Sequence, residues 1–265
     1  MCDAVSALED NLEGLLELLA AWRGWRVHHS PGLFWCESPI PHEAFNKVVR
    51  FQLSRQHAAS RLARLRDRAF SRHAPLGFWL GPRAQPQHLR DLLRELGFSP
   101  VAQAWGMTLT LHQMPPTREG SPVAVEPLRD RHRWPEWVRV FGETFGTPPS
   151  ITEAHGEQLG LFLGQESPLT HFAALTEGQV VGIASLFFAN PPVAGLYNFG
   201  VAQAGEGHGV GQALLAGLLA FAWERGYRQV VLRSTAHAYG FYLRQGFHAV
   251  AKYELWVARP TTLSL

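Results

Sequence analysis

Apolar residues recur along this chain at two different periods. Leu8, Leu12, Leu15, Leu16 and Leu19 lie three or four apart, the spacing of one helical face. Ser6 with Glu9 three residues on reads as a capping box, so the pattern predicts a helix over residues 7–22 capped by Ser6. Trp25 to Cys36 is strand-like about the turn Ser30-Pro31-Gly32, which predicts a hairpin. His42 to Arg72 reads as one long basic helical region with at most one break. Leu76 to Leu80 is a short apolar strand. Pro86 to Leu96 is helical, with Leu89, Leu92, Leu93 and Leu96 on one face and Gly97 as its stop. Val101 to Leu111 returns as a strand.

Met114 to Pro122 then holds three prolines and a glycine, the composition of a linker. Beyond it the pattern predicts a strand over 123–128, a helix over 133–145, and a second helix over 150–163 with Ser150 as N-cap. A hairpin over 171–188 turns at Thr176-Glu177-Gly178. A strand over 195–202, a helix over 212–224, a strand over 229–234, a helix over 237–245 and a strand over 248–258 complete the chain. The order mixes an antiparallel meander with two crossover units, which predicts a mixed α/β sheet. Gly97-Phe98-Ser99-Pro100-Val101-Ala102 also matches Gly246-Phe247-His248-Ala249-Val250-Ala251, with four of six positions identical. Both segments follow a strand and a helix and lead into a closing strand. The chain thus reads as two copies of one fold, over 1–115 and 123–265, joined through 116–122.

Composition narrows the class. Of 265 residues, 46% are hydrophobic and 17% charged, which excludes a disordered chain. No apolar stretch reaches the roughly 18 residues of a membrane-spanning helix. Asp3, Glu9, Asp10 and Glu13 stand where a secretory leader would be basic. Two cysteines cannot build a disulfide framework or a four-thiolate zinc site, so the expected setting is reducing and cytoplasmic. His28-His29 face opposite sides of a strand, a poor pair for a shared metal, and no metal site is expected.

The net charge of +2 is mild, yet Lys47, Arg50, Arg55, Arg61, Arg64, Arg66, Arg68 and Arg72 fall in one stretch with only Asp67 among them. One reading is a phosphate-facing helix. The other is the solvated face of an amphipathic helix that turns Val48, Leu62, Leu65 and Ala69 inward. No nucleic-acid motif accompanies the run, and the second reading is preferred.

The chemistry-bearing feature is a glycine run, Gly205-Glu206-Gly207-His208-Gly209-Val210-Gly211-Gln212, between a predicted strand and a predicted helix. Such a junction offers free amides and a positive dipole end to an anion. Glycine lets the backbone approach a phosphate closely. The dinucleotide spacing G-x-G-x-x-G fits in neither register, since Gln212 and Leu214 stand where the third glycine belongs. A Walker loop needs a lysine that is missing here. There is no G-x-S-x-G nucleophile elbow either.

Residues 201–215 resemble the acetyl-CoA motif of the GNAT superfamily of N-acyltransferases, Arg/Gln-x-x-Gly-x-Gly/Ala. Gly209 and Gly211 fall on its two small residues, and Glu206 stands where Arg or Gln is usual. Phe241-Tyr242-Leu243-Arg244-Gln245-Gly246-Phe247 is similar to the family's closing Tyr-x-x-x-Gly-Phe segment. The resemblance covers about residues 123–258. It implies two tandem GNAT-like domains, each a mixed, mostly antiparallel sheet flanked by helices. The N-terminal copy is degenerate: Leu93 takes the place of Tyr242, and residues 40–75 hold no glycine.

The resemblance also implies acetyl transfer from acetyl-CoA to an amine by direct attack. Amides of Gly207, His208, Gly209, Val210, Gly211 and Gln212 would hold the pyrophosphate. Backbone groups of Phe199, Gly200 and Val201 would align the pantetheine, and Tyr242 would protonate the leaving thiolate. The amine must lose a proton, and Glu143, Glu153 and His171 are the candidate bases by chain region. Trp35 and Trp137 are candidates to line an acceptor pocket, with residues 133–165 as one wall. The expected partner is an amine-bearing acceptor, small molecule or peptide, with no membrane and no nucleic acid; a homodimer is left open. The alternative is a non-catalytic module that binds an acyl-CoA as a regulatory ligand.

Overall fold

The computed structural model describes residues 3–116, 122–164, 167–189 and 192–260. In chain order the elements are α1 (Ala4–Leu18), β1 (Arg26–Ser30), β2 (Leu33–Glu37), β3 (Lys47–Phe51), α2 (Arg55–Phe70), β4 (Leu76–Leu80), α3 (Leu89–Glu95), β5 (Ser99–Thr110), β6 (Ala124–Pro127), α4 (Trp134–Phe145), α5 (Pro149–Leu159), β7 (Leu169–Thr176), β8 (Gln179–Phe188), β9 (Val193–Val201), α6 (Val210–Glu224), β10 (Gln229–Thr235), α7 (Ala236–Arg244) and β11 (His248–Ala258).

The chain divides into two compact units. Unit 1 joins Met1–Leu15 to Thr108–Leu232, and unit 2 joins Leu16–Met107 to Arg233–Leu265. Compactness and a boundary in the proline-rich segment therefore differ over residues 1–15, 108–115 and 233–265. The first and the last have a local cause. Asn11 of α1 accepts a hydrogen bond from the Tyr197 hydroxyl at 2.8 Å, inside unit 1. Strand β11 pairs antiparallel with β4, Trp256 opposite Phe78, inside unit 2. Of the linker 116–122, residues 117–121 lie outside the described residues.

In unit 1 the strand order is β10-β9-β8-β7-β6. The pairs from β6 to β9 are antiparallel, and β9 runs parallel to β10. Successive strand residues point to opposite faces, and the packing follows that rule. His171 meets Trp134 and Trp137 of α4, while its neighbour Phe172 meets Phe221 of α6. Helices thus cover both faces. In unit 2 the order is β1-β2-β3-β4-β11-β5, with β3 parallel to β4 and the pairs β1–β2, β2–β3 and β4–β11 antiparallel. Its core sets Leu62, Leu65 and Ala69 of α2 against Val48, Leu76 and Phe78.

The same succession occurs twice. A three-strand meander leads to a crossover helix, a parallel strand, a short helix and a closing strand: β1 to β5, then β7 to β11. The short helices end alike. Gly97 and Gly246 turn at φ +80° and +88°, a left-handed conformation open to glycine. Phe98 N–H then donates to Leu93 O at 2.9 Å, and Phe247 N–H to Tyr242 O at 3.1 Å.

Three expectations are corrected. Helix α1 starts at Ala4, not at residue 7 behind a Ser6 cap; Asp3 supplies the cap, its Oδ1 accepting from Val5 N–H at 3.5 Å. The basic region over 42–72 is not one helix. The β-branched pair Val48-Val49 sits in strand β3, and α2 begins only at Arg55. Helix α5 starts at Pro149 rather than after Ser150, because a proline at the first helical position lacks an amide that would go unsatisfied.

Much of the basic run is engaged within the protein. The Glu37 carboxylate accepts from Arg68 at 2.6 and 2.7 Å and from Arg72, with His28 Nε2 at 3.2 Å. Arg61 lies over the Trp35 ring, and Arg66 donates to Leu96 O at 3.1 Å. Val48, Leu62, Leu65 and Ala69 are buried, as the amphipathic reading requires.

Candidate active site

Strand β9 carries an irregularity where it meets β8. Ser185 pairs with Tyr197 and Ile183 with Gly200, so three residues of β9 answer two of β8. The extra residue makes a β-bulge, and Asn198 there has φ +53°. On the other edge, β9 pairs with β10 only from Val193 to Leu196. The two parallel strands thus part at the bulge. The edge beyond Leu196 carries the expected pantetheine contacts Phe199, Gly200 and Val201. Gly200 also lets α4 approach: a Cβ there would stand 2.5 Å from Thr144 Cγ2.

After β9 the chain makes a short 3-10 turn, with Gly205 N–H bonded to Ala202 O at 2.8 Å. Gly205 is packed tightly; a Cβ there would meet Val201 Cγ1 at 3.0 Å and Val181 O at 3.2 Å. Gly207 and Gly209 then turn at φ +74° and +76° with open space around them. Their requirement for glycine is conformational rather than steric. Gly209 is the N-cap of α6, and the first bond of the helix runs from Ala213 N–H to Gly209 O at 3.0 Å. The amides of Val210, Gly211 and Gln212 precede that bond, the usual orphan donors of a helix start. Glu206, His208 and Gln212 are exposed. Strand, bulge, glycine turn and helix start are therefore consecutive in one unit.

The three candidate bases separate in the structure. His171 is 1% exposed; burial pushes its imidazole down to about 4, despite the hydrogen bond to a carbonyl. Both ring nitrogens are used, Nδ1 with Ser185 Oγ at 2.8 Å and Nε2 with Leu159 O at 3.1 Å. It is therefore neutral and closed to an acceptor. Glu143 and Glu153 line one cavity of about 650 Å³ between α4 and α5, with Arg131, Trp134, Arg139 and Glu157. Glu143 accepts from Gln203 N–H at 3.3 Å and from Arg139 at 3.0 Å. Trp137 is not among the residues lining that cavity; it is fully buried, with Nε1 bonded to Phe172 O at 3.1 Å. Trp35, in unit 2, stacks on His28 at 4.5 Å.

Tyr242 lies in unit 2 on α7, 5% exposed, against the rings of Phe241 and Phe247. Burial raises its hydroxyl well above the ordinary tyrosine range, so it stays protonated.

Asn198 and Ser185 escaped the sequence reading. An asparagine tolerates a left-handed backbone, but nothing local in Tyr197-Asn198-Phe199 marks a bulge, which arises from pairing with β8.

Comparison with known proteins agrees with this geometry. No curated protein matches the chain. A GCN5-related N-acetyltransferase from Kribbella flavida aligns with a TM-score of 0.72 at 15% identity, over 97% of each chain. A GCN5-related N-acetyltransferase from Sphaerobacter thermophilus aligns with a TM-score of 0.60 at 18% identity, over 97% of this chain and 93% of that one. A tandem GNAT protein from the clavulanic acid biosynthesis pathway aligns with a TM-score of 0.62 at 16% identity, over 95% and 94%. At such identities the likeness is one of fold, and it extends over nearly the whole chain. The model of the acetyltransferase (GNAT) family matches residues 132–247, which contain the bulge, the glycine turn and the start of α6. Residues 132–247 therefore match the GNAT family, and that match supports acyl transfer.

Proposed function

We propose that the protein is an N-acetyltransferase that moves an acetyl group from acetyl-CoA to an amine acceptor, a small molecule or a peptide, by direct attack. The observation that carries this is the succession in unit 1: β9 parts from β10 at a bulge and leads directly to a left-handed glycine turn and the start of α6. That succession supplies backbone donors in the two kinds a CoA ester needs. Amides from Gly207 to Gln212 suit the pyrophosphate. Backbone groups of Phe199, Gly200 and Val201 suit the amide-bearing pantetheine. The donor set therefore fits the coenzyme, which supplies the activated acetyl thioester.

Much of the acceleration in such a bimolecular step comes from holding the reactants together. By the resemblance of 241–247, Tyr242 donates the proton that the leaving thiolate takes up, and a buried, protonated phenol suits a donor. Of the three candidate bases, Glu143 and Glu153 remain to take the amine proton; His171 does not. We keep 1–115 and 123–265 as the two inherited copies, the first without coenzyme. In unit 2 the edge of β3 that corresponds to the open edge of β9 is taken by the chain itself. Gln85 N–H donates to Phe51 O at 2.8 Å, and Gln52 bridges Gln85. Only Gln52, Leu53 and Ser54 separate β3 from α2, too few for a glycine loop.

Calorimetry of the full chain with acetyl-CoA, followed by thiol release over a panel of amines, tests the reading. Saturable binding and amine-dependent release are expected. Binding without release for any amine would leave a binding module, and no binding would overturn the assignment. Tyr242→Phe should lower kcat at least about a hundred-fold with little change in coenzyme affinity, the range of a lost general acid. An unchanged rate would remove the tyrosine from that role.

A further inference from the structure

A chain of buried side chains ends at the bulge. Leu159 O can only accept, so His171 Nε2, 3.1 Å away, carries the ring proton. A neutral imidazole then has a lone pair at Nδ1, and Ser185 Oγ, 2.8 Å away, must donate to it. With its proton committed, Ser185 Oγ accepts from Asn198 Nδ2 at 3.1 Å. Ser185 and His171 are 0% and 1% exposed, so the two bonds of the imidazole lack competition from water, while the bond from Asn198 is partly buried. Trp134 and Trp137, stacked on each other, pack against the imidazole at 5.0 and 5.4 Å. The direction of every bond follows from one carbonyl, and the last one fixes the Asn198 amide with its nitrogen inward.

Asn198 is the residue that needs such a hold. Its φ of +53° lies in the left-handed region, which a non-glycine residue occupies at a cost. It is also the residue at which β9 gains its extra position and parts from β10. We infer that His171 and Ser185 are positioning residues for acyl transfer: through Asn198 they pin the bulge, so that the backbone of Phe199, Gly200 and Val201 is presented to the pantetheine arm of the coenzyme. The inference rests on the acetyltransferase reading above and deepens it. The bulge acts on one half of the ligand only. The nucleotide half belongs to the glycine turn, which the chain of side chains does not touch.

That asymmetry provides the test. Binding of acetyl-CoA and of 3′-phospho-ADP, which ends at the pyrophosphate and lacks the pantetheine arm, is measured by calorimetry on the full-length protein. Ser185→Ala should weaken acetyl-CoA about ten-fold, the scale of one buried hydrogen bond, and leave 3′-phospho-ADP within about two-fold. Asn198→Asp keeps shape and size but lacks the amide donor, and it should show the same split. It carries the test if Ser185→Ala fails to fold. The double variant should be no weaker than the worse single one, because either change breaks the same chain. Equal losses on both ligands would mean a general structural role, and an undiminished acetyl-CoA affinity in either variant would mean no role at all; both overturn the inference. Wild-type protein that binds neither compound would instead overturn the acetyltransferase reading, and this inference with it.

Discussion

Gly195 and Gly209 are glycine for different reasons, and the difference predicts different responses. A Cβ at Gly195 would overlap Asn11 Oδ1 and the Tyr197 ring, so Gly195→Ala must displace those side chains and break their hydrogen bond or shift α1 from β9. The expected cost is about 2 kcal/mol by urea unfolding, in the range of overpacking. Gly209 has open space but φ +76°, so Gly209→Ala should cost only about 1 kcal/mol in stability while weakening acetyl-CoA. A reversed order would show that the two environments are misread. His171 makes a pH-dependent prediction. Its imidazole titrates at about 4 in the native state against an ordinary 6.5. The unfolded chain therefore takes up the proton first as pH falls, and native stability is full above about 6.5 and lost progressively down to about 4. The loss from this group between pH 7 and pH 5 should be about 2 kcal/mol. A His171→Gln variant, which cannot titrate, should not show that part of the slope. At this scale the glycine turn was legible, because alternate glycines have few other uses. The role of His171 was not: a histidine in a strand looks the same whether helices cover it or not.

Among elements, the first hairpin, the meander and crossovers of the second copy, and the helix stops at Gly97 and Gly246 followed from the sequence. The segment 42–72 did not. Its charge density suits a helix, but Val48 and Val49 are placed in a strand by pairing with β2 and β4, which no local window contains. The same segment shows where its charge is used. The arginines of α2 and the turn after it hold the β2 carboxylate of Glu37, lowering it to about 2 from 4.5; burial opposes that shift, and the guanidiniums outweigh it. A lowered carboxylate contributes stability above its ordinary range and loses it as pH falls toward about 2. Glu37→Gln should therefore cost about 1.5 kcal/mol at neutral pH: the carboxylate is buried, but Arg68 and Arg72 are partly exposed and water can take up their charge. Urea midpoints of the two proteins check this, and a change under about 0.5 kcal/mol would put the pair among surface ion pairs.

For the whole molecule, the repeat was legible in six residues around each Gly-Phe, yet the exchange of segments between units was not. Nothing in His248 to Ala258 says that the strand pairs with Leu76 to Leu80. The exchange predicts the behaviour of a fragment. Residues 117–265 alone lack Asn11 and leave β11 without β4. The fragment should unfold at lower urea and less cooperatively than the full chain; an equal midpoint would show that neither contact matters.

The pairing of β11 with β4 also sets a schedule. A ribosome releases β4 long before β11, with all of Thr108–Leu232 made in between. Until then the edge of β4 that β11 will cover stays open, and an open strand edge invites pairing with other chains. Unit 2 cannot be completed as it is made; its last strand arrives only after Thr108–Leu232 has been synthesised. Slowed translation between β4 and β11 would prolong that exposure, while the same pause before β4 would cost nothing.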